Sequence, residues 1–96
     1  MKVTKLVEVV QTSVYNKKYS LREVFVNPDY VISLMPDSNM KTVLQEGRLP
    51  DGLDKRQEFT RVTVHKGNSG LEMVVVGNTE NVRNKLFSSP STLLKG

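Results

Sequence analysis

Hydrophobic and polar residues alternate most regularly in the stretch Glu58–Asn78, EFTRVTVHKGNSGLEMVVVGN. Its first half has the period of two that is typical of a half-buried β-strand. Its second half contains the β-branched run Val74–Val76, which favours a return strand. Between them, Lys66–Gly70 includes two glycines that tolerate positive φ, as a hairpin turn requires. The pattern predicts an antiparallel hairpin whose polar face is made by Phe59, Arg61, Thr63 and His65.

Three more strands are predicted upstream of this hairpin. Lys2–Val14 carries apolar residues on both faces over part of its length, which is typical of a central or covered strand. Leu21–Val26 and Tyr30–Met35 show a shorter alternating pattern. The Asn-Pro-Asp sequence at 27–29 predicts a turn between them, because proline fixes φ and aspartate can bond the backbone ahead of it.

Two short helices complete the predicted elements. Asp37 or Ser38 can cap a helix over residues 36–47, and Asn78 or Thr79 can cap a second one. Each of these four residues has the side-chain oxygen that the free N–H groups of a first helical turn require. The predicted fold class is therefore α+β, with an antiparallel sheet of about five strands and one or two short helices.

The length of the chain predicts a single domain over residues 1–96. Residues 48–57 include a Pro-Asp-Gly sequence and are expected to form an exposed loop. Residues 88–96 are expected to form a C-terminal tail, in which Leu93 and Leu94 make a short apolar piece. Because apolar residues are otherwise scarce, we expect these leucines to dock and the protein to form a homo-oligomer.

The composition restricts the classes of function. Fourteen basic and ten acidic residues give a net charge of +4, and their scatter along the chain disfavours a nucleic-acid binder. The absence of cysteine excludes disulfides and zinc-thiolate sites. No signal-peptide pattern occurs, and no run approaches the roughly 18 apolar residues of a membrane span. We therefore expect a cytoplasmic protein without membrane partners, biased towards small anionic ligands.

No arrangement of catalytic residues stands out in the sequence. His65 is the only histidine, and nothing selects a nucleophile and an orienting carboxylate to accompany it. A solvent-facing strand residue is the simpler interpretation of this histidine. Metal ligands other than scattered carboxylates are lacking. We expect no enzyme activity, no cofactor and no metal site.

Basic, aromatic and capping residues around the hairpin are the candidates for ligand binding. Two arginines offer bidentate phosphate donors, while a phenylalanine and the histidine offer stacking surfaces for a purine. The start of the second helix offers free N–H groups to an anion. A solvated sheet face, a subunit interface and an ordinary helix cap are the alternative interpretations. The candidate residues are Arg56, Phe59, Arg61, His65, Asn78 and Thr79.

Three stretches, in the order VFVNPDYVISL, EFTRVTVHKGNSGLEMVVVGN and SSPSTLLKG, are the basis of a resemblance to a known group of proteins. Together with the short helix between the last two, they resemble small phage anti-defence proteins, in particular the Thoeris anti-defence sponges. The resemblance implies a non-enzymatic oligomer that binds a signal of the cyclic ADP-ribose type at subunit boundaries. It also implies that the bound signal is held away from an immune effector.

Two functions of different classes follow from these observations. The first is sequestration of a small anionic nucleotide signal in phage counter-defence, based on the resemblance and on the arginine, phenylalanine and histidine side chains. The second is a small phage or bacterial regulator that acts by protein–protein contact. The apolar pair Leu93-Leu94 and the loop 48–57 favour this second function.

Overall fold

The structure is a computed structural model that describes residues 3–13, 15 and 18–87. All strand pairings in this part of the chain are antiparallel. The prediction of an α+β fold with an antiparallel sheet of about five strands and one or two short helices is therefore confirmed, since the structure has five strands and two α-helices. The predicted tail 88–96 lies outside the described residues. The elements in chain order are β1 (Thr4–Ser13), β2 (Lys18–Val26), β3 (Val31–Pro36), α1 (Ser38–Gln45), β4 (Phe59–Lys66), β5 (Ser69–Val76) and α2 (Thr79–Phe87).

The sheet is curled, as its strand order and the short connection from β2 to β3 require. The strands lie in the order β2-β1-β5-β4-β3, so β2 and β3 occupy opposite edges. Residues 27–30 alone connect these two strands, and three of them form a 3-10 turn. A flat five-stranded sheet places its edges roughly 19 Å apart, whereas the five steps from Val26 to Val31 span at most roughly 17 Å when fully extended. The edges must therefore bend towards each other.

Helix α2 packs against one face of the sheet, which we call the α2 face. Its buried side chains come from four strands and the helix, and half-buried residues of β3 pack against them. The helix is capped by Asn78, whose Oδ1 accepts a hydrogen bond of 2.8 Å from the backbone N–H of Asn81. One of the predicted caps is thus confirmed. The buried cluster of this face consists of Leu6, Val26, Val62, Val75, Val82 and Leu86.

Helix α1 and the chain that follows it cover the opposite face, which we call the α1 face. The helix begins after Asp37, whose Oδ1 accepts a hydrogen bond of 3.1 Å from the backbone N–H of Met40. The helix prediction for 36–47 is therefore confirmed. Residues 48–57 form no helix or strand, and Leu49 within them is buried against the sheet. The buried cluster of this face consists of Val9, Met40, Val43, Leu49 and Phe59.

The turn of the β4–β5 hairpin is shorter than its sequence indicates. Lys66 pairs with Ser69, so Gly67 and Asn68 are the only residues between the strands. Gly67 has a φ of +61°, which is the value that two-residue hairpin turns need at their first position. The ladder continues as far as the Lys66–Ser69 pair because Gly67 has no side chain to oppose the turn conformation.

Candidate functional site

Phe59 lies on the strand face where it was predicted, but that face is covered. It is only 2% exposed and packs with Val9, Met40 and Val43 beneath helix α1. The predicted role of this ring, stacking on a ligand base, is therefore replaced by a role in the core. The reason is that α1 and the segment containing Leu49 shield a strand face that the sequence pattern presents as polar.

Arg61 extends from the same face and is already paired. Its Nη2 lies 3.4 Å from Oδ2 of Asp37, and the two side chains are 33% and 3% exposed. Asp37 therefore has two functions, since its other oxygen caps helix α1. The guanidinium charge is neutralised by a carboxylate that is held in place by the helix start.

A hollow with a volume of about 410 Å³ lies beside Arg61. We call it the wedge, because it opens where β1 and β5 separate beyond the pair Val9–Val74. Three of its lining residues are carboxylates and only one is basic, which disfavours an anionic ligand. It is lined by Glu8, Val9, Tyr19, Asp37, Met40, Arg61, Glu72, Met73 and Val74.

Arg56 and Asn78 are brought together at a separate hollow of about 240 Å³. The guanidinium of Arg56 is held by Asp54 at 3.3 Å, and its side-chain hydrogen bond lowers the pKa of Asp54. The side-chain oxygen of Asn78 is used in capping α2. Asp54 and Glu58 also line this hollow, so a phosphate would meet two carboxylates there.

Thr79 is directed inward rather than towards this hollow. Its hydroxyl lies 3.4 Å from the hydroxyl of Thr60, which itself donates to the carbonyl of Gly77 at 2.9 Å. Thr60 is completely buried, so these hydroxyls join the start of α2 to β4. Thr79 thus has a structural hydrogen-bond partner in the described residues.

His65 lies near the hairpin turn, far along β4 from Phe59, and lines a third hollow. This hollow of about 170 Å³ is mainly apolar and includes two large aromatic rings. We call it the aromatic hollow. Phe25 and Tyr30 are 67% and 56% exposed, which is unusual for rings in a small apolar pocket. It is lined by Phe25, Val26, Asn27, Tyr30, Val64, His65, Lys66 and Met73.

The charge around the aromatic hollow differs from that of the wedge and of the Arg56 hollow. Lys66 lines it, no carboxylate does, and among the described residues Lys66 forms no ion pair. The wedge and the Arg56 hollow each contain at least two carboxylates. The aromatic hollow therefore combines stacking surfaces with an unopposed positive charge. The available sequence signal was the pair of aromatic residues on either side of the Asn-Pro-Asp turn.

The six predicted site residues are thus distributed over several places. Arg56 and Asn78 share one hollow, Arg61 borders the wedge, His65 borders the aromatic hollow, and two others are buried or half-buried. Within residues 3–13, 15 and 18–87, no group of three acidic or histidine side chains is placed to hold a metal ion. Neither described helix is long and apolar enough to cross a bilayer.

Comparison with protein-family models, with curated proteins and with solved structures finds no match to this chain.

Proposed function

We propose that this chain is a non-enzymatic binding protein that sequesters a small anionic nucleotide signal. The observation that supports this function is the aromatic hollow, where two exposed rings meet Lys66 without a nearby carboxylate in the lining. The resemblance to phage anti-defence sponges makes a signal of the cyclic ADP-ribose type the first choice. The site of action would be the cytoplasm of an infected bacterium.

The proposed binding mode follows from the chemistry of nucleotides. A base stacks on the ring of Phe25 or Tyr30, and such stacking contributes about 1–3 kcal/mol per base. Lys66 binds the phosphate as a point charge, and His65 provides a hydrogen-bonding group at the rim. The apolar floor of Val64 and Met73 excludes water from one side of the base. No group in this arrangement is required to attack the ligand, which suits retention rather than turnover.

Titration calorimetry against a panel of nucleotides tests this function. The panel contains cyclic ADP-ribose isomers, linear ADP-ribose, AMP and a short DNA duplex. We expect tight binding of one small nucleotide, and chromatography of the released ligand should show it unchanged. Absence of binding across the small nucleotides, or recovery of a cleaved product, would contradict the proposal.

A pair of phenylalanine variants localises the site. Phe25→Ala should weaken nucleotide binding by about tenfold. Phe87→Ala is a matched control, because this ring is also about half exposed but lies at the end of α2, outside the hollow. If both variants lost affinity equally, or if neither lost affinity, the aromatic hollow would be excluded as the nucleotide site.

Self-association is part of the same proposal. Ile32 and Met35 are exposed on the edge strand β3, and exposed apolar side chains at an edge favour contact with another chain. The leucines of the tail, which motivated the same prediction, lie outside the described residues. Light scattering should give a mass above the 10.8 kDa of one chain. A 10.8 kDa species at all concentrations up to hundreds of micromolar would contradict it.

A further inference from the structure

One stretch of β5 pairs with a neighbouring strand on only one of its two sides. β5 pairs with β4 along its whole length, from Ser69 to Val76. On its other side it pairs with β1 only at Val74 and Val75. On this second side, residues 69–73 therefore have no strand partner among the described residues, and Glu72 and Met73 line the wedge.

The direction of the unpaired backbone groups follows from the hydrogen-bond register. The N–H of Gly77 donates to the carbonyl of Glu58 at 2.9 Å, as part of the β4–β5 ladder. Because hydrogen-bonded positions alternate in an antiparallel ladder, every second residue before Gly77 faces β4. Gly70 and Glu72 are the intervening residues, so their N–H and C=O groups point away from β4, to the side on which Glu72 lines the wedge.

This edge lacks the protection that the two outer edges have. β2 carries Lys18, Arg22 and Glu23 along its length, while β3 is interrupted by a bulge and ends at Pro36. Charges, bulges and prolines are devices that prevent a strand from pairing with another chain. Residues 69–73 contain no proline, and their register with β4 has no shift. Their one charged residue is Glu72.

The charged side chains that line the wedge indicate which kind of peptide strand can bind there. Arg61 is paired with Asp37, and Glu8 is paired with Arg22 at 3.0 Å. Glu72 forms no ion pair among the described residues. The lining thus has an unpaired negative charge although the whole chain has a net charge of +4. A basic side chain would complement it.

We propose that an extended, basic peptide segment of a partner protein binds in the wedge by adding a strand to residues 69–73 of β5. Backbone hydrogen bonds to Gly70 and Glu72 hold the extended segment whatever its sequence. The Glu72 carboxylate favours segments that place a lysine or arginine beside it. The exposed side chain of Leu71 lies between these two residues. This surface shares Met73 with the aromatic hollow, but strand addition here does not rest on nucleotide binding.

Fluorescence anisotropy with three labelled peptides tests both parts of the proposal. The first is an eight-residue peptide of alternating valine and lysine, capped at both ends. The second has glutamate in place of lysine, and the third has the lysine sequence with alternate backbone amides methylated. We expect only the first to bind, because the second has the wrong charge and the third cannot form a ladder. Equal binding of the methylated peptide would overturn strand addition, and equal binding of the glutamate peptide would overturn the charge preference.

Variants of the protein then assign the contact to this edge. Glu72→Lys should weaken binding of the lysine peptide by about tenfold or more, while Glu72→Gln should have a smaller effect in the same direction. Glu23→Lys is the matched control, since it makes the same charge change at an exposed position on β2. Wild-type affinity in Glu72→Lys, or equal loss in the control, would overturn the assignment.

Backbone amide spectra separate this contact from self-association. Addition of the lysine peptide should shift the N–H signals of Gly70 and Glu72 more than those of Leu71 and Met73, which face β4. If these signals instead shift with protein concentration alone, and the peptide reverses that shift, a second copy of the chain occupies the edge. That outcome would overturn the partner peptide as the natural occupant.

Discussion

A helix covers each face of the sheet, but the surroundings of the two buried clusters differ. On the α2 face the buried cluster is entirely apolar, and its neighbour Thr60 is fully hydrogen-bonded. On the α1 face a comparable core lies next to the Asp37–Arg61 pair and the open wedge. The core of the α2 face is thus enclosed by apolar side chains, while the core of the α1 face borders an ion pair and an open stretch of β5 backbone. Substitutions on each face test this contrast.

The largest effect is expected for Phe59→Ala on the α1 face. Removing a fully buried ring leaves a cavity, and such changes cost about 3–5 kcal/mol. Chemical denaturation should show this loss in the free energy of unfolding. Phe25→Ala is the control and should alter stability by less than about 0.5 kcal/mol, because its ring is exposed. If both variants were equally stable, the α1 face would not hold a core at Phe59.

Asp37→Ala should have the next largest effect, because it removes two interactions at once. Loss of a helix cap costs about 0.5–2 kcal/mol, and the guanidinium of Arg61 loses its partner as well. We expect a total of about 2 kcal/mol or more. Asp37→Asn keeps an oxygen for the cap and should cost less. Equal loss in the two variants would indicate that the cap contributes nothing to this side of the molecule.

On the α2 face, Asn78→Ala should cost about 1 kcal/mol, the typical value for a lost N-cap. The hydrogen bond to the N–H of Asn81 is the interaction removed. Asn78→Asp retains an accepting oxygen and should restore most of the stability. Thermal unfolding compares the three proteins. A nucleotide affinity that falls in Asn78→Ala while stability is unchanged would return this residue to the ligand site.

The smallest effect concerns the exposed pair of Asp54 and Arg56, which belongs to neither core. The Arg56 side chain lowers the pKa of Asp54 in the folded state. The pair therefore stabilises the fold above the ordinary aspartate pKa, and this contribution is lost as the pH falls through the lowered value. Carboxyl titration by NMR should show a higher pKa for Asp54 in Arg56→Ala. An unchanged titration would mean that the pair does not persist in solution.

Local features of the structure were predictable because short-range chemistry determines them. The hairpin follows from alternation and a glycine turn, and both helix starts follow from side chains that can accept a backbone N–H. Each of these signals acts within a few residues. The fold class could therefore be inferred from the sequence, with strand ends misplaced by at most a few residues.

The site could not be predicted in the same way, because it depends on which elements cover which face. Alternation indicates that Phe59 and Arg61 share a face, but not that Met40 and Val43 pack on it. Leu49 was the available hint, since a buried leucine within a polar loop signals that the loop is anchored. The aromatic hollow was missed because β2, the following turn and the β4–β5 hairpin meet only through the curl of the sheet.

The two-residue pairing between β1 and β5 has a consequence for how the chain folds. Val9 and Val74 are adjacent in the sheet although most of the chain separates them, so closing this contact costs more loop entropy than either hairpin. The hairpins β1–β2 and β4–β5 can form early as independent local units. Their union is then expected to be the slow step, and during synthesis it has to wait until β5 has left the ribosome. A nascent chain halted after β4 would hold β1 and β2 as an unjoined hairpin.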